Sequence, residues 1–416
     1  MNLFCLQYLQ FLKDNFMSIV QINATYGYGS TGIIVRDLQN LCSLNNINCE
    51  VVCSTSVCKN DNVYKVGNPI SNKIHAFLSR FSGKQGYFSF FPTIRLLLHL
   101  KHKKIEAIHL HNLHSGYINL PLLFKFVVKN NIPVIVTLHD CWFYTGGCCH
   151  YTSVNCYKWR EACGDCPKRM DEVNAIIVDG TKDVLFDRYK LFGAVKSLYV
   201  IGVSKWILDE GKKTVFKNAK CFTIYNGIDI NFFRPVKSDL RKKLNLDGKF
   251  VIIAPSNKWF LDVNRETFDF FASKLTKDMC MLFIGNGCNE KLLTNRMINY
   301  GFIYSREEIR DVYSLADVML NCTREESLSL LNVEVQACGT PVVTYSNTGV
   351  KETVDGFCGF AVENGNPEAM WNAMMTIKTK GKYCFSECCR KWVVRKFDKN
   401  KNYQKYLDIY RKILLK

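Results

Sequence analysis

The chain is short of acid. Lys and Arg number 55 against 37 Asp and Glu in 416 residues, a formal net charge of +18. That balance favours anionic partners such as phosphates or an anionic membrane surface. It does not favour nucleic acid, because no basic run alternates with aromatics as a base-stacking platform requires. The sequence also lacks any stretch of about 20 apolar residues, which argues against a transmembrane helix. The first 16 residues, Met1 to Phe16, lack the basic start and small-residue cleavage site of a signal peptide. They read as an extension, with Met17 opening the first domain. Without an export signal, the 20 cysteines are expected to be thiols or metal ligands in a reducing cytoplasm. No short-period repeat and no low-complexity segment is present. What is there is globular: 48% hydrophobic and 13% aromatic residues. A chain of this length exceeds one ordinary core and suits two α/β domains.

Apolar runs separated by helical periodicity carry the fold class. Ser18 to Asn23, Glu50 to Ser54, Ile105 to Leu110 and Pro133 to Leu138 read as strands, with a helical pattern between the last two around Leu120 to Lys129. The pattern restarts with Phe250 to Ala254, Met281 to Ile284, Val318 to Leu320 and Pro341 to Thr344, and Glu307 to Ala316 reads as a helix. Strands alternating with helices predict parallel, helix-covered sheets. Turn punctuation in Tyr225-Asn226-Gly227-Ile228-Asp229-Ile230-Asn231-Phe232-Phe233-Arg234-Pro235 places the domain junction there. The domains expected are therefore residues 17–226 and 227–395, with residues 396–416 forming a last helix that runs back to the first domain.

Gly27, Gly29 and Gly32 satisfy G-x-G-x-x-G between a strand and a helix, the dinucleotide spacing. The ribose-binding acid that should end the second strand is missing, since that strand ends Val52-Cys53-Ser54-Thr55 and Glu50 comes too early. An NAD site is therefore disfavoured. The glycines still let backbone approach a ligand at a helix N-terminus, with Gly29 and Ser30 nearest it. His109, His111 and His114 follow one strand and His139-Asp140 ends the next, where ligands of open α/β sheets bind. Packing or capping is the favoured reading for His109 and His111. Cys148, Cys156, Cys163 and Cys166 lie in a cysteine-rich loop over residues 141–166. Their C-x2-C end can bring two sulfurs to one tetrahedral ion. A structural zinc and four reduced thiols both fit that spacing.

The stretch from Arg324 to Val343 holds two carboxylates, Glu326 and Glu334, bracketing seven residues. Glu326 is expected on a loop that opens a helix and Glu334 about two turns inside it, a rise of about 12 Å over eight residues. A helix N-terminus between them would bind an anion through its unpartnered N–H groups. One element could then hold a nucleotide-sugar, with carboxylates for hydroxyls and backbone for phosphate.

This block, with its Ala337-Cys338-Gly339-Thr340-Pro341-Val342-Val343 tail, resembles the paired-glutamate signature of family 4 glycosyltransferases. The glycine loop, Val203-Ser204-Lys205-Trp206, Asn226-Gly227-Ile228-Asp229 and the cysteine-rich loop resemble the colanic-acid and capsular polysaccharide members. The resemblance implies a GT-B fold, two Rossmann-like domains facing across a cleft. It implies a retaining transfer of a sugar from a UDP- or GDP-sugar to a glycan or lipid-linked acceptor in surface polysaccharide synthesis. It gives Glu334 the ribose hydroxyls, Glu326 and His139 the donor sugar, and the backbone of Leu328 to Leu331, including Leu330 and Leu331, the diphosphate. It implies no catalytic divalent metal, and a cytoplasmic protein, peripheral on the inner face of the membrane. The aromatic and basic stretch from Tyr87 to Lys101 fits docking there, and fits an ordinary buried helix equally.

Two departures stand out. Ser327 and Ser329 occupy positions where the family has glycines. The Arg-Lys pair that offsets diphosphate charge is replaced by Asp262-Val263 or Arg265-Glu266, leaving Lys258 and Arg265 as substitutes. The alternatives are thus a weakly active or inactive homologue that acts by binding, and a sugar-nucleotide epimerase of the same shape.

Overall fold

The computed structural model describes residues 18–58 and 60–415. The expected extension over residues 1–16 lies outside them. The chain divides into two compact units, one running to Ile224 and taking up the residues from Tyr403 onward, the other Tyr225–Asn402.

The first unit carries a seven-stranded sheet: β1 (Ser18–Tyr26), β2 (Asn48–Ser56), β3 (Val63–Lys65), β4 (Ile105–Leu110), β5 (Val134–Leu138), β6 (Leu198–Gly202) and β7 (Lys220–Thr223). Its order is β3-β2-β1-β4-β5-β6-β7, with every pairing parallel. The second unit carries β8 (Phe250–Pro255), β9 (Met279–Ile284), β10 (Met297–Gly301), β11 (Val318–Asn321), β12 (Val342–Tyr345) and β13 (Gly359–Val362). Its order is β10-β9-β8-β11-β12-β13, again all parallel. The inner strands are buried on both faces, so they read as continuous apolar runs rather than as alternations.

In each sheet the chain starts in the middle, winds outward one way, then returns to wind the other. That reversal leaves a switch point between β1 and β4, and another between β8 and β11. Loops leaving neighbouring strands diverge there and open a crevice beyond the carboxyl ends. The helix Lys399–Leu414 sends Tyr406, Leu407, Tyr410 and Ile413 into the first unit's core beside Ile19, Ala107 and Ile201. The second core gathers Trp259, Phe271, Met281, Leu320 and Met374. Among the described residues no helix is long and apolar enough to cross a membrane.

Candidate functional site

The second switch point collects Glu326, Leu330, Leu331, Glu334 and Lys258. Glu326 lies in the loop leaving β11, and the helix that follows is Leu330–Ala337. Glu334 is thus the fifth residue of that helix, little more than one turn in. The expected two turns, and the 12 Å helical span with them, are corrected. The backbone does not coil before Leu330: it bends at Ser327 and is extended at Ser329, at φ −82° and ψ 99°. A buried polar network enforces this. Asn321 Nδ2 donates to Ser329 Oγ (3.2 Å) and Asn332 Oδ1 (2.8 Å), and Asn332 Nδ2 donates to Thr353 Oγ1 (2.9 Å). Serine replaces the family's glycine at residue 329 because its hydroxyl is used there. Leu330 and Leu331 are the first two helical residues, so their N–H groups have no intrahelical partner.

Glu326 is held by its backbone, while its carboxylate is left open. Its N–H donates to Thr348 Oγ1 (3.2 Å), and its carbonyl accepts from the same hydroxyl (2.7 Å). Its Oε2 is buried without a hydrogen-bond partner, and so are Ser327 Oγ and Ser256 Oγ. Ser256 directly follows β8, the strand paired with β11. Buried oxygens without partners call for something polar to satisfy them, a ligand, an ion or a water.

Glu334 is half-buried, and Tyr313 Oη donates to its Oε2 at 3.4 Å. Burial pushes its pKa up to about 7, opposed by the Arg306 charge and the Tyr313 hydroxyl. Lys258 sits half-buried in the short turn of helix after β8. Arg265 does not sit free beside the loop. It is exposed on the helix Arg265–Lys274 and forms an ion pair with Asp269 one turn on (2.8 Å). Arg324 braces the same region, donating to Asn264 Oδ1 (2.7 Å) and the Val263 carbonyl (3.0 Å).

In the first unit, the helix Gly29–Leu44 begins at Gly29, directly after an extended Tyr28. Gly29 and Ser30 therefore form its first turn, so the last two glycines of the G-x-G-x-x-G lie inside the helix rather than before it. No side chain caps that turn and no acid neutralises it. Gly29 has φ +66°, which favours glycine.

His139 ends a chain of buried polar groups. Gln21 Nε2 donates to the Val35 carbonyl (3.4 Å), which turns its Oε1 toward His111 Nε2 (3.1 Å). His111 Nε2 must then carry the proton, leaving His111 Nδ1 to accept from His139 Nε2 (3.0 Å). By this logic His139 Nδ1 is an acceptor, and no described residue occupies it. Burial pushes His139 down to about 4 and His111 well below its ordinary value, so both rings are neutral. The His109 ring lies tilted against His111 at 4.0 Å between centroids and bonds Tyr410 Oη (2.6 Å) and Thr137 Oγ1 (2.8 Å).

Cys148, Cys156, Cys163 and Cys166 all line one small cavity of about 20 Å³, with Trp159 and Gly146. Trp159 packs on Tyr144 and Tyr151, each 5.0 Å between centroids. Lys158 Nζ ties down the carbonyls of Gly164 (3.1 Å) and Asp165 (3.0 Å), tightening the C-x2-C turn. Burial pushes Cys148 up to about 12 and Cys163 to about 11, and the neighbouring thiols add to both shifts. The four sulfurs share the cavity, but no three of them lie within 4.8 Å of one another, so they would have to draw together to bind a thiophilic cation; among the described residues the one group that close is His114, Asp140 and Cys149.

Thr348, Ser256 and Gln21 are the residues that sequence reasoning missed. Gln21 alone had a visible signal, an uncharged polar residue in the middle of an apolar strand.

Comparison with known proteins agrees with this anatomy. The model of Glycosyltransferase Family 4 matches residues 45–232, and that of Glycosyl transferases group 1 matches residues 259–379. The chain is 23% identical over 257 residues to the putative colanic acid biosynthesis glycosyl transferase WcaC of Escherichia coli (strain K12), covering 60% of this chain and 62% of that protein. It is 24% identical over 410 residues to an uncharacterized 41.2 kDa protein in the cps region of Klebsiella pneumoniae, covering 95% of this chain and 99% of that one. The crystal structure of Anabaena Alr3699/HepE in complex with UDP matches with a TM-score of 0.65 at 16% identity, covering 95% of this chain and 100% of that one.

Proposed function

The chain belongs to the family 4 glycosyltransferases and has the GT-B fold, and from that premise we propose that it moves a sugar from a nucleotide-sugar to a hydroxyl of a glycan or lipid-linked acceptor in surface polysaccharide synthesis. The observation that carries this reading is the group of unpartnered buried oxygens, Glu326 Oε2, Ser327 Oγ and Ser256 Oγ, at the second switch point. They stand beside an uncapped helix N-terminus and a second carboxylate, Glu334. The donor is a UDP- or GDP-sugar, and the UDP in Anabaena HepE supports the former.

In this reading residues 227–395 are the donor side and residues 17–226 the acceptor side. Glu334 accepts from the ribose hydroxyls. The Leu330 and Leu331 N–H groups, with Lys258, offset the diphosphate charge, and this needs no divalent metal at the reaction. Glu326 accepts from sugar hydroxyls, and His139 Nδ1 accepts from another. Gly29 and Ser30 offer a second N-terminal turn to phosphate. The sugar C1–O bond to the diphosphate breaks, and the acceptor oxygen bonds C1 from the same face. The departing phosphate oxygen takes the acceptor proton, so configuration is retained without a side-chain base. Cys148, Cys156, Cys163 and Cys166 would hold a structural zinc that braces their loop once their sulfurs close in on one ion.

Thermal shift against UDP-, GDP- and NAD-type ligands, then turnover with a membrane lipid-glycan extract, tests the proposal. Stabilisation by one nucleotide-sugar class and its loss in Glu334→Ala are expected. Equal binding by Glu334→Ala sinks the donor assignment. The diverted Arg265 favours one alternative, a binding-only homologue, for which nucleotide-sugar would bind without turnover. Metal analysis should give one zinc per chain, lost in Cys163→Ser. No bound zinc rejects that part alone.

A further inference from the structure

His114, Asp140 and Cys149 reach one spot from three separate segments, with their donor atoms all within 4.8 Å of one another. His114 follows β4, Asp140 follows β5, and those two strands pair in parallel. Parallel neighbours send their loops out at the same end of the sheet. Cys149 is brought to that end because the Cys141 N–H donates to its carbonyl (2.9 Å), folding the cysteine-rich loop back. The adjacent thiols diverge: Cys148 lines the four-cysteine cavity, while Cys149 lines a different one.

The surroundings hold each donor in place. Asp140 Oδ1 accepts from the Trp142 N–H (2.9 Å), which leaves Oδ2 to His114 Nε2 (3.1 Å). The Cys149 N–H donates to Glu172 Oε2 (2.8 Å). Ser115, directly after His114, has φ +103°, a backbone state that residues with a side chain rarely adopt. Such strain persists only where the surrounding structure imposes it, and it collects at functional sites. An ion pair explains the closeness of His114 and Asp140, but not the thiol that joins them. Nor does it explain His150, the next residue, whose Nδ1 is buried without a hydrogen-bond partner. His114 and Cys149 also line a cavity of about 310 Å³, together with Gln85, Glu172 and Asn174.

We propose that His114, Asp140 and Cys149 form a zinc site distinct from the four-cysteine cavity, with its fourth position turned to the 310 Å³ cavity or taken by His150. Imidazole nitrogen, carboxylate oxygen and thiolate sulfur are the three donor types that zinc accepts. Magnesium and calcium prefer oxygen alone, so this set selects against them. Zinc bonds of about 2.0–2.3 Å in a tetrahedron put donors about 3.5 Å apart, so the three need to close by roughly an ångström at most. The ion takes the place of the proton that His114 and Asp140 share, and the thiol releases its own. Three protein donors with one open position suit a water or ligand oxygen in the fourth. Asp140 follows His139 directly, so a bound ion also fixes the loop that carries that ring. The inference rests on no part of the donor assignment.

Because the site faces a cavity, its ion exchanges, and titration reads it better than the metal retained on purification. The test uses the full chain carrying Cys163→Ser, which disables the four-cysteine cavity, dialysed against a weak chelator. Zinc calorimetry should give one equivalent bound, with proton release that scales with the buffer's ionisation heat. Cobalt(II), a visible stand-in for zinc, should give a thiolate charge-transfer band. Adding Cys149→Ser should abolish the band and weaken zinc at least tenfold, and Asp140→Asn should weaken zinc similarly. Cys149→Ser exchanges a single atom, so its metal-free melting temperature should match that of the parent. No zinc uptake by the Cys163→Ser chain overturns the proposal, as does equal affinity in Cys149→Ser. A cobalt band in wild type that Cys163→Ser removes also overturns it, since the ion would then sit among the four cysteines.

Discussion

The Thr348 hydroxyl and the Glu326 backbone hold each other reciprocally: the Glu326 N–H donates to Thr348 Oγ1 at 3.2 Å, and Thr348 Oγ1 donates to the Glu326 carbonyl at 2.7 Å. One hydroxyl thus fixes the loop that aims an otherwise unpartnered carboxylate. Thr348→Val keeps the shape and removes both bonds. Its donor KM should rise about tenfold, equivalent to about 1.4 kcal/mol, because two ordinary hydrogen bonds are lost where one loop conformation is needed. Steady-state kinetics checks this. An unchanged KM would mean that the loop is held elsewhere.

Glu334 should make donor binding pH-dependent near neutrality. Its pKa is pushed up to about 7 by burial, against a partial offset from Arg306 and Tyr313. The ionised form is the better acceptor for ribose hydroxyls, so affinity should climb from pH 6 to pH 8. Stability moves the other way. Between the unfolded carboxyl value and about 7 the native state keeps a proton that the unfolded chain has released. Stability contributed by the neutral carboxyl is therefore full below the unfolded pKa and lost as pH rises through about 7. Titration calorimetry and melting across this range should show both trends in wild type and flatten both in Glu334→Gln.

Lys258 and Arg265 should prove unequal. Arg265 is exposed and already engaged by Asp269, and a surface helix pair of that kind contributes little. Lys258 sits half-buried at the carboxyl end of β8. Lys258→Met should lower kcat roughly 100-fold, the scale of losing one charge-stabilising donor. Arg265→Met should stay within about threefold, as surface substitutions usually do. The reverse ranking would return the diphosphate to Arg265.

Gln21 acts on His139 through His111, so it is a positioning residue. Nitrogen-15 spectra of histidine-labelled protein should show His139 protonated at Nε2, with Nδ1 unprotonated. Gln21→Leu should scramble that tautomer and raise donor KM about tenfold. Gln21→Glu, whose carboxylate still accepts from His111 Nε2, should retain it. A His139 protonated at Nδ1 in wild type refutes the relay outright.

Most of the scaffold was legible in the sequence because doubly wound sheets bury both faces of their strands. β1, β4, β5, β8, β9 and β11 are largely buried runs rich in apolar residues, which makes them visible. The edge strands Val63–Lys65, Lys220–Thr223, Met297–Gly301 and Gly359–Val362 carry few buried residues, and they escaped; so did the buried inner strand Leu198–Gly202, which is only five residues long. The helix Pro69–Ser82, with His75 buried and Phe77 exposed, escaped for another reason. It has an ordinary amphipathic period, and period alone does not say which stripe faces the core.

By itself the sequence determined the alternation of strands and helices, the glycine turn at Gly29, the two carboxylates at Glu326 and Glu334, and the four cysteines. These are local properties, set by residue type and spacing. Only the tertiary structure decided that β8 and β11 lie side by side, bringing Ser256 to the carboxylate loop, and that Cys148, Cys156, Cys163 and Cys166 share one cavity. It alone oriented His139 through His111 and Gln21. The strand and histidine pairings join residues tens of positions apart. They follow from strand order and the close packing of particular side chains, which no local pattern encodes.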